Sequence, residues 1–129
     1  MIPFHIELKA GIPIYEQVVY AVKKAVAFGQ LIPGDRLPSV RNLSQELNIN
    51  PNTAQKAMTR LLQERIIEVR PGIGCTVAAA FPATAEQREA ILEKKIEHLV
   101  VEAKRLGLTE RELTKALQKH WMDMKNYQA

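Results

Sequence analysis

A mainly α chain with a small β wing, followed by a two-helix tail, is the fold class that this sequence predicts. Three observations predict it. Residues 39–77 read as a short helix, a tight turn, a second helix and a hairpin; an apolar-periodic helix precedes them; and two capped helices follow a proline-marked break. That order predicts a winged helix-turn-helix over residues 1–80 and a helical, dimerising tail over residues 81–129.

In chain order, Phe4-His5-Ile6-Glu7-Leu8 alternates apolar and polar residues and predicts a short edge strand. Pro13 starts the first helix, with Ile14, Tyr15, Val18, Val19, Val22 and Val26 on its apolar face. Gly29 ends it, where a left-handed residue commonly closes a helix. Leu31 to Asp35 contains a Pro-Gly turn, and Arg36-Leu37-Pro38 is a brief extended piece leading to Ser39.

Ser39 is the expected N-cap of a helix over 40–47 that turns Val40, Leu43 and Leu47 inward. Asn48-Ile49-Asn50 makes the turn. Asn50 caps the next helix, expected over 51–64, and Pro51 takes its first position, where a missing N–H costs nothing. Ala54, Ala57, Met58, Leu61 and Leu62 recur at three- and four-residue spacing, so one stripe is buried and Asn52, Thr53, Gln55, Lys56, Thr59 and Arg60 lie on the other side. The hairpin over 66–77 turns at Pro71-Gly72-Ile73-Gly74 and supplies the wing.

The segment 78–83 reads as a linker. Thr84 with Gln87, and Thr109 with Glu112, have capping-box spacing and open the two tail helices; Gly107 closes the first. Leu92, Ile96, Leu99, Ala103 and Leu106 fall at strict 4-3-4-3 spacing, widened by Ile91 and Val100, and the last helix adds Leu113, Leu117 and Trp121. Two helices cannot bury a core of their own, so this stripe is expected to pack on a second copy of the chain, or else on its own DNA-binding half.

Charge agrees with a nucleic-acid partner without proving one. The formal net charge is +4, and residues 1–82 hold 9 Lys/Arg against 6 Asp/Glu while residues 83–129 hold 9 against 8. No run is long and apolar enough to cross a membrane, no secretory signal is visible, and a single cysteine excludes an internal disulfide. The expected setting is the cytoplasm.

Double-stranded DNA is the partner these residues suit. Amide side chains pair bidentately with adenine, which makes Asn52 and Gln55 candidate base readers, although Asn52 also suits a capping role. Thr53 can touch a thymine methyl or a phosphate, or bond its own backbone. Arg41, Lys56 and Arg60 suit phosphates or bases; Ser39 can both cap its helix and donate to a phosphate. Arg70 and Gly72 would bring the wing to the minor groove. Cys75 reads as a small strand residue rather than a redox switch, and His98 with Glu102 as a solvated face rather than a metal site. No metal, cofactor or catalytic constellation is expected. Leu117, His120 and Trp121 could line an effector cleft, but a Trp there more often anchors helix packing. Any small-molecule effector should sit between subunits. The rival readings are a protein-interaction module and a sequence-tolerant DNA binder.

Ile14-Tyr15-Glu16-Gln17, the run Leu31 to Ser39, Arg41-Asn42-Leu43 and the glycine-bearing wing before Thr76-Val77 resemble the GntR-family DNA-binding domain over roughly residues 12–77. The short helical tail and the turn Asn50-Pro51-Asn52-Thr53 resemble the YtrA-type subgroup. The resemblance implies a helical dimerisation tail, often a repressor of transporter operons, with Arg41, Asn50, Asn52 and Thr53 at DNA and Gly72 near the minor groove. Many relatives carry arginine where this chain has Pro51 and Gln55, and glutamate where it has Val40. The resemblance therefore does not transfer their operator.

Overall fold

The structure is a computed structural model that describes residues 2–79 and 84–124. It divides into two units, separated at 80–83, so the second part of the expected linker lies outside the described residues.

The first unit is built around the helix at residues 51–63. Its elements are α1 (Ile14–Ala27), α2 (Val40–Leu47), α3 (Pro51–Gln63), β1 (Ile67–Arg70) and β2 (Gly74–Val77). Helix α3 packs on α1, on α2 and on β1. Its inward row is Ala54, Ala57, Met58 and Leu61, all buried. The two alanines carry only a methyl group, which lets neighbouring helices come close. Around this row close Val18, Val19, Val22 and Ala25 of α1, Leu43 of α2, Leu31 and Leu37 of the connection, and Ile67 and Val77 of the hairpin.

Local chemistry sets the helix ends. The Ser39 hydroxyl accepts the Asn42 N–H at 3.1 Å, and the Asn50 side-chain oxygen accepts the Asn52 N–H at 2.7 Å. The turn between α2 and α3 passes through Asn48 at φ 54°, a left-handed position that asparagine tolerates better than most residues. Helices α1 and α3 both end by folding back, Gln30 N–H to Ala25 O in one and Ile66 N–H to Leu61 O in the other. In α1 the left-handed residue is the expected Gly29; in α3 it is Arg65, at φ 59°.

The N-terminal strand is not formed. Phe4 is the anchor of that segment, 7% exposed in the core, and the backbone beyond it is held by a side chain. Gln17 accepts the Lys9 N–H and donates to the Lys9 carbonyl, each at 2.8 Å, and donates again to the Ile12 carbonyl at 2.8 Å. One glutamine thus satisfies three backbone groups of the stretch that leads into α1.

The hairpin is antiparallel with Ile67 opposite Val77 and Arg70 opposite Gly74. Its tip is a turn closed by Ile73 N–H to Arg70 O at 3.0 Å, with Pro71 first and Gly72 at φ 77°, the signature of a type II turn. Ile32-Pro33-Gly34-Asp35 repeats that chemistry, with Gly34 at φ 93° and Asp35 N–H bonded to Ile32 O. The segment after this turn runs beside β2 and bridges it at Arg36 and Thr76, adding a third edge that the sequence reading treats as a simple lead-in.

The second unit holds α4 (Ala85–Arg105) and α5 (Glu110–Asp123), each opened by the expected capping box. The Thr109 N–H and hydroxyl, both bonded to Glu112, hold that carboxyl below the usual carboxylate range. Its capping contribution is therefore complete above that range and fades as pH falls through it. Replacing Thr109 with Ala should cost about 1 kcal/mol of α5 stability, seen as lost far-UV helicity on mild heating. An unchanged melting profile would mean that the cap carries no weight. At the other end of α4, Gly107 at φ 76° lets Leu108 N–H reach back to Ala103 O. The two helices meet at this turn and do not pack along their lengths.

Candidate nucleic-acid interface

Helix α3 presents one continuous polar row. Asn52, Gln55, Lys56, Thr59 and Arg60 are exposed, on the side opposite the buried row, and Thr53 is half-buried between them. Asn50 is committed to capping, so the Asn52 side chain is not needed for it. That separates the two asparagines: one builds the helix start and the other projects from it. The Gln55 amide donates to the Thr59 hydroxyl at 3.2 Å, one turn on along the same face. It leaves the carbonyl oxygen and a second amide hydrogen for a base edge.

The cations of α3 are held from the side. Lys56 Nζ lies 4.1 Å from the centre of the Tyr15 ring, and the Arg60 guanidinium carbon lies 5.8 Å from it. The ring of α1 is thus a shared platform for two positive charges, an arrangement worth about 0.5–1 kcal/mol at an exposed site. Sequence periodicity places Tyr15 on the apolar face; its half-buried ring in fact has one side in the domain and the other under Lys56. A cation four residues after another on α3, with an aromatic residue 41 positions earlier on α1, has no local signature.

Arg41 and Ser39 are exposed at the start of α2. Ser39 already caps that helix through its oxygen, which leaves its hydroxyl hydrogen available. In the wing, Arg70 and Gly72 are exposed, and Arg70 leans on Glu68 at 3.3 Å. That exposed pair is weak and easily exchanged for a phosphate. Cys75 is half-buried on β2 as a plain strand residue.

In the second unit the apolar stripe is uncovered in the single chain. Ile91, Leu92, Ile96, Leu99, Val100, Leu106, Leu117 and Trp121 are exposed, Leu113 is half-buried and Ala103 is buried. Val101, Leu108 and Met122 are also exposed and widen the apolar surface beyond the expected seam. A shallow depression on α5 is lined by Thr109, Glu110, Arg111, Thr114, Lys115 and Gln118; Leu117, His120 and Trp121 are all exposed in the single chain. Among the described residues, no three His, Cys, Asp or Glu side chains gather as a metal site, and no helix is long and apolar enough to cross a membrane.

A helix pair with a buried seam, an exposed polar row on the second helix and a glycine-tipped hairpin define a winged helix-turn-helix protein. The profile of the family "Bacterial regulatory proteins, gntR family" matches residues 14–77. The chain is 34% identical over 104 residues to the HTH-type transcriptional repressor YtrA of Bacillus subtilis, covering 80% of each chain, a span that reaches into the tail. It is 30% identical to the HTH-type transcriptional regulator YhcF of the same organism, covering 86% of this chain and 92% of that protein. A GntR family transcriptional regulator of known structure from Listeria monocytogenes superposes with a TM-score of 0.65 at 27% identity, over 87% of this chain and 98% of that one. This chain belongs to the GntR family, in its short YtrA-type form. It is a DNA-binding transcriptional regulator and not an enzyme.

Proposed function

We propose that the protein is a homodimeric, cytoplasmic repressor of an operon, such as one encoding a transporter, that binds a palindromic operator. The observation that carries this reading is the exposed row Asn52, Gln55, Lys56 and Arg60 on a helix whose opposite row is fully buried. In it, residues 1–80 bind DNA and residues 81–129 dimerise. Helix α3 enters the major groove, with Asn52 and Gln55 at adenine edges, Thr53 near a thymine methyl, and Arg41, Lys56 and Arg60 on phosphates or guanine. Ser39 and the backbone of Asn50 sit at the sugar-phosphate rim, and Arg70 and Gly72 follow the minor groove. The exposed stripe of α4, with Leu117 and Trp121 of α5, meets its copy across a two-fold axis. Repression, the sign named for the relative YtrA, follows where the operator overlaps a promoter.

Selecting bound duplexes from a random pool tests the reading directly. An inverted repeat with half-sites about 10 base pairs apart is expected. Enrichment of no sequence, from folded protein, overturns it. On the selected duplex, Gln55→Ala should lower discrimination at one adenine by about 1–3 kcal/mol while leaving the other positions unchanged. An equal loss on every sequence would instead mark a sequence-tolerant binder. A protein-interaction module would differ again, showing no steep fall in DNA affinity with salt.

A further inference from the structure

The roles above leave Arg36 unused, although it occupies a distinctive place. It lies on the third edge of the wing, where Gly34 N–H bonds Val77 O at 2.9 Å, Val77 N–H bonds Asp35 O at 2.8 Å and Leu37 N–H bonds Cys75 O at 2.9 Å. Its backbone is therefore as firmly placed as a strand residue. From there the side chain runs toward the hairpin end, and Nη2 donates to the Ile73 carbonyl at 3.0 Å.

Ile73 stands between two glycines in left-handed backbone, Gly72 at φ 77° and Gly74 at φ 111°. Nothing lies within 4 Å of where a Cβ would stand at either glycine, so no neighbouring group packs the tip from those sides. The Ile73 side chain is itself 47% exposed. A turn of this kind has much conformational freedom to lose when it meets a partner. Besides the pairing of Gly74 with Arg70 in the hairpin, it is held by its own closure, Ile73 N–H to Arg70 O, and by the guanidinium arriving from a residue 37 positions earlier in the chain.

We propose that Arg36 is a positioning residue for DNA binding: its guanidinium pre-sets the tip Gly72-Ile73-Gly74 in its binding conformation and does not itself neutralise a phosphate. The proposal rests on the reading that the wing meets DNA. A planar fork suits the task, because one N–H bonds a carbonyl in a fixed direction while the rest of the group stays solvated. Ordering the tip before DNA arrives removes a cost from association, and this is how a residue that touches no DNA raises affinity.

Arg36→Met keeps the length and the apolar stem but removes the donors. On a duplex selected by the unaltered protein, it should weaken binding about fivefold to tenfold. The slope of log affinity against log salt should stay as it was, and the amides of Ile73 and Gly74 should exchange with solvent faster in the free protein. Amides of α1 should exchange at their original rate. A slope shallower by about one, with tip exchange unchanged, would make Arg36 a phosphate contact and overturn the proposal. Equal loosening of the tip and α1 would make it a general stabiliser, and so would also overturn it.

Ile73→Asp tests the underlying reading separately, by placing a negative charge on the tip. If Ile73→Asp weakens binding and Arg36→Met does not, the Arg36 proposal alone fails. If neither weakens it, the wing does not meet DNA and both readings fail together.

Discussion

Leu99→Glu is expected to turn a dimer into a monomer of 14.6 kDa. Leu99 lies in the middle of the α4 stripe and is 46% exposed in the single chain, with Ile96 and Val100 beside it. In an interface with two-fold symmetry each substitution enters twice, so the seam must take up two carboxylates without partners. The dimer dissociation constant should rise at least about a hundredfold. Sedimentation over a range of concentrations measures this. Trp121 gives a second signal, being the one tryptophan of the chain and 77% exposed in the single subunit. Its emission should shift toward the red when the dimer separates, if the seam covers it. Operator affinity should fall in parallel, since each half-site would then be bound alone. A dimer that survives both Leu99→Glu and Ile96→Glu would show that this stripe is not the seam.

Leu61→Ala is expected to have the largest effect on folding. Leu61 is 0% exposed, in the core cluster around α3, the helix that packs on α1, α2 and β1. Removing its outer carbons loses their transfer free energy and leaves a cavity in the packed core. The cost should be about 3–5 kcal/mol, against a total of about 5–15 kcal/mol for an ordinary domain. For a unit of this size, that lowers the melting temperature by roughly 15 °C or more. Thermal unfolding followed by far-UV circular dichroism is the check. A loss below about 1 kcal/mol would mean that the site collapses freely, contrary to a core wedged between helices. DNA binding should persist at low temperature, because Leu61 faces away from the polar row.

What could be read in advance was what depends on neighbours in sequence. Ser39, Asn50, Thr84 with Gln87, and Thr109 with Glu112 act on backbone groups two or three residues away, and each cap is where its spacing places it. The buried and exposed rows of α3 follow from helical period alone. Most of the failures are long-range. The alternation of Phe4 to Leu8 is present, but no strand forms there; Phe4 is buried in the core, and Gln17 holds the backbone just beyond, at Lys9 and Ile12. Tyr15 has the period of a core residue, yet its ring also carries Lys56, 41 positions away. Arg36 stands in a stretch that looks like a connector, and its strand-like placement depends on β2 arriving beside it. Arg65 takes the left-handed position that glycine usually fills, so no residue type announces where α3 stops. Resemblance identifies the family from the run Leu31 to Ser39, but it gives no reason for that run's shape; the third edge of the wing supplies one.

That third edge has a consequence for how a duplex would be measured. Leu37 is bonded to β2, and two residues later Ser39 begins α2. The wing and the head of α2 are the two jaws of a caliper whose spine is three residues long. If both jaws close on sugar-phosphate walls, as proposed, their separation is set by the protein, and the duplex must supply the matching width. Sequences whose grooves already have that width would be preferred at positions that no side chain touches.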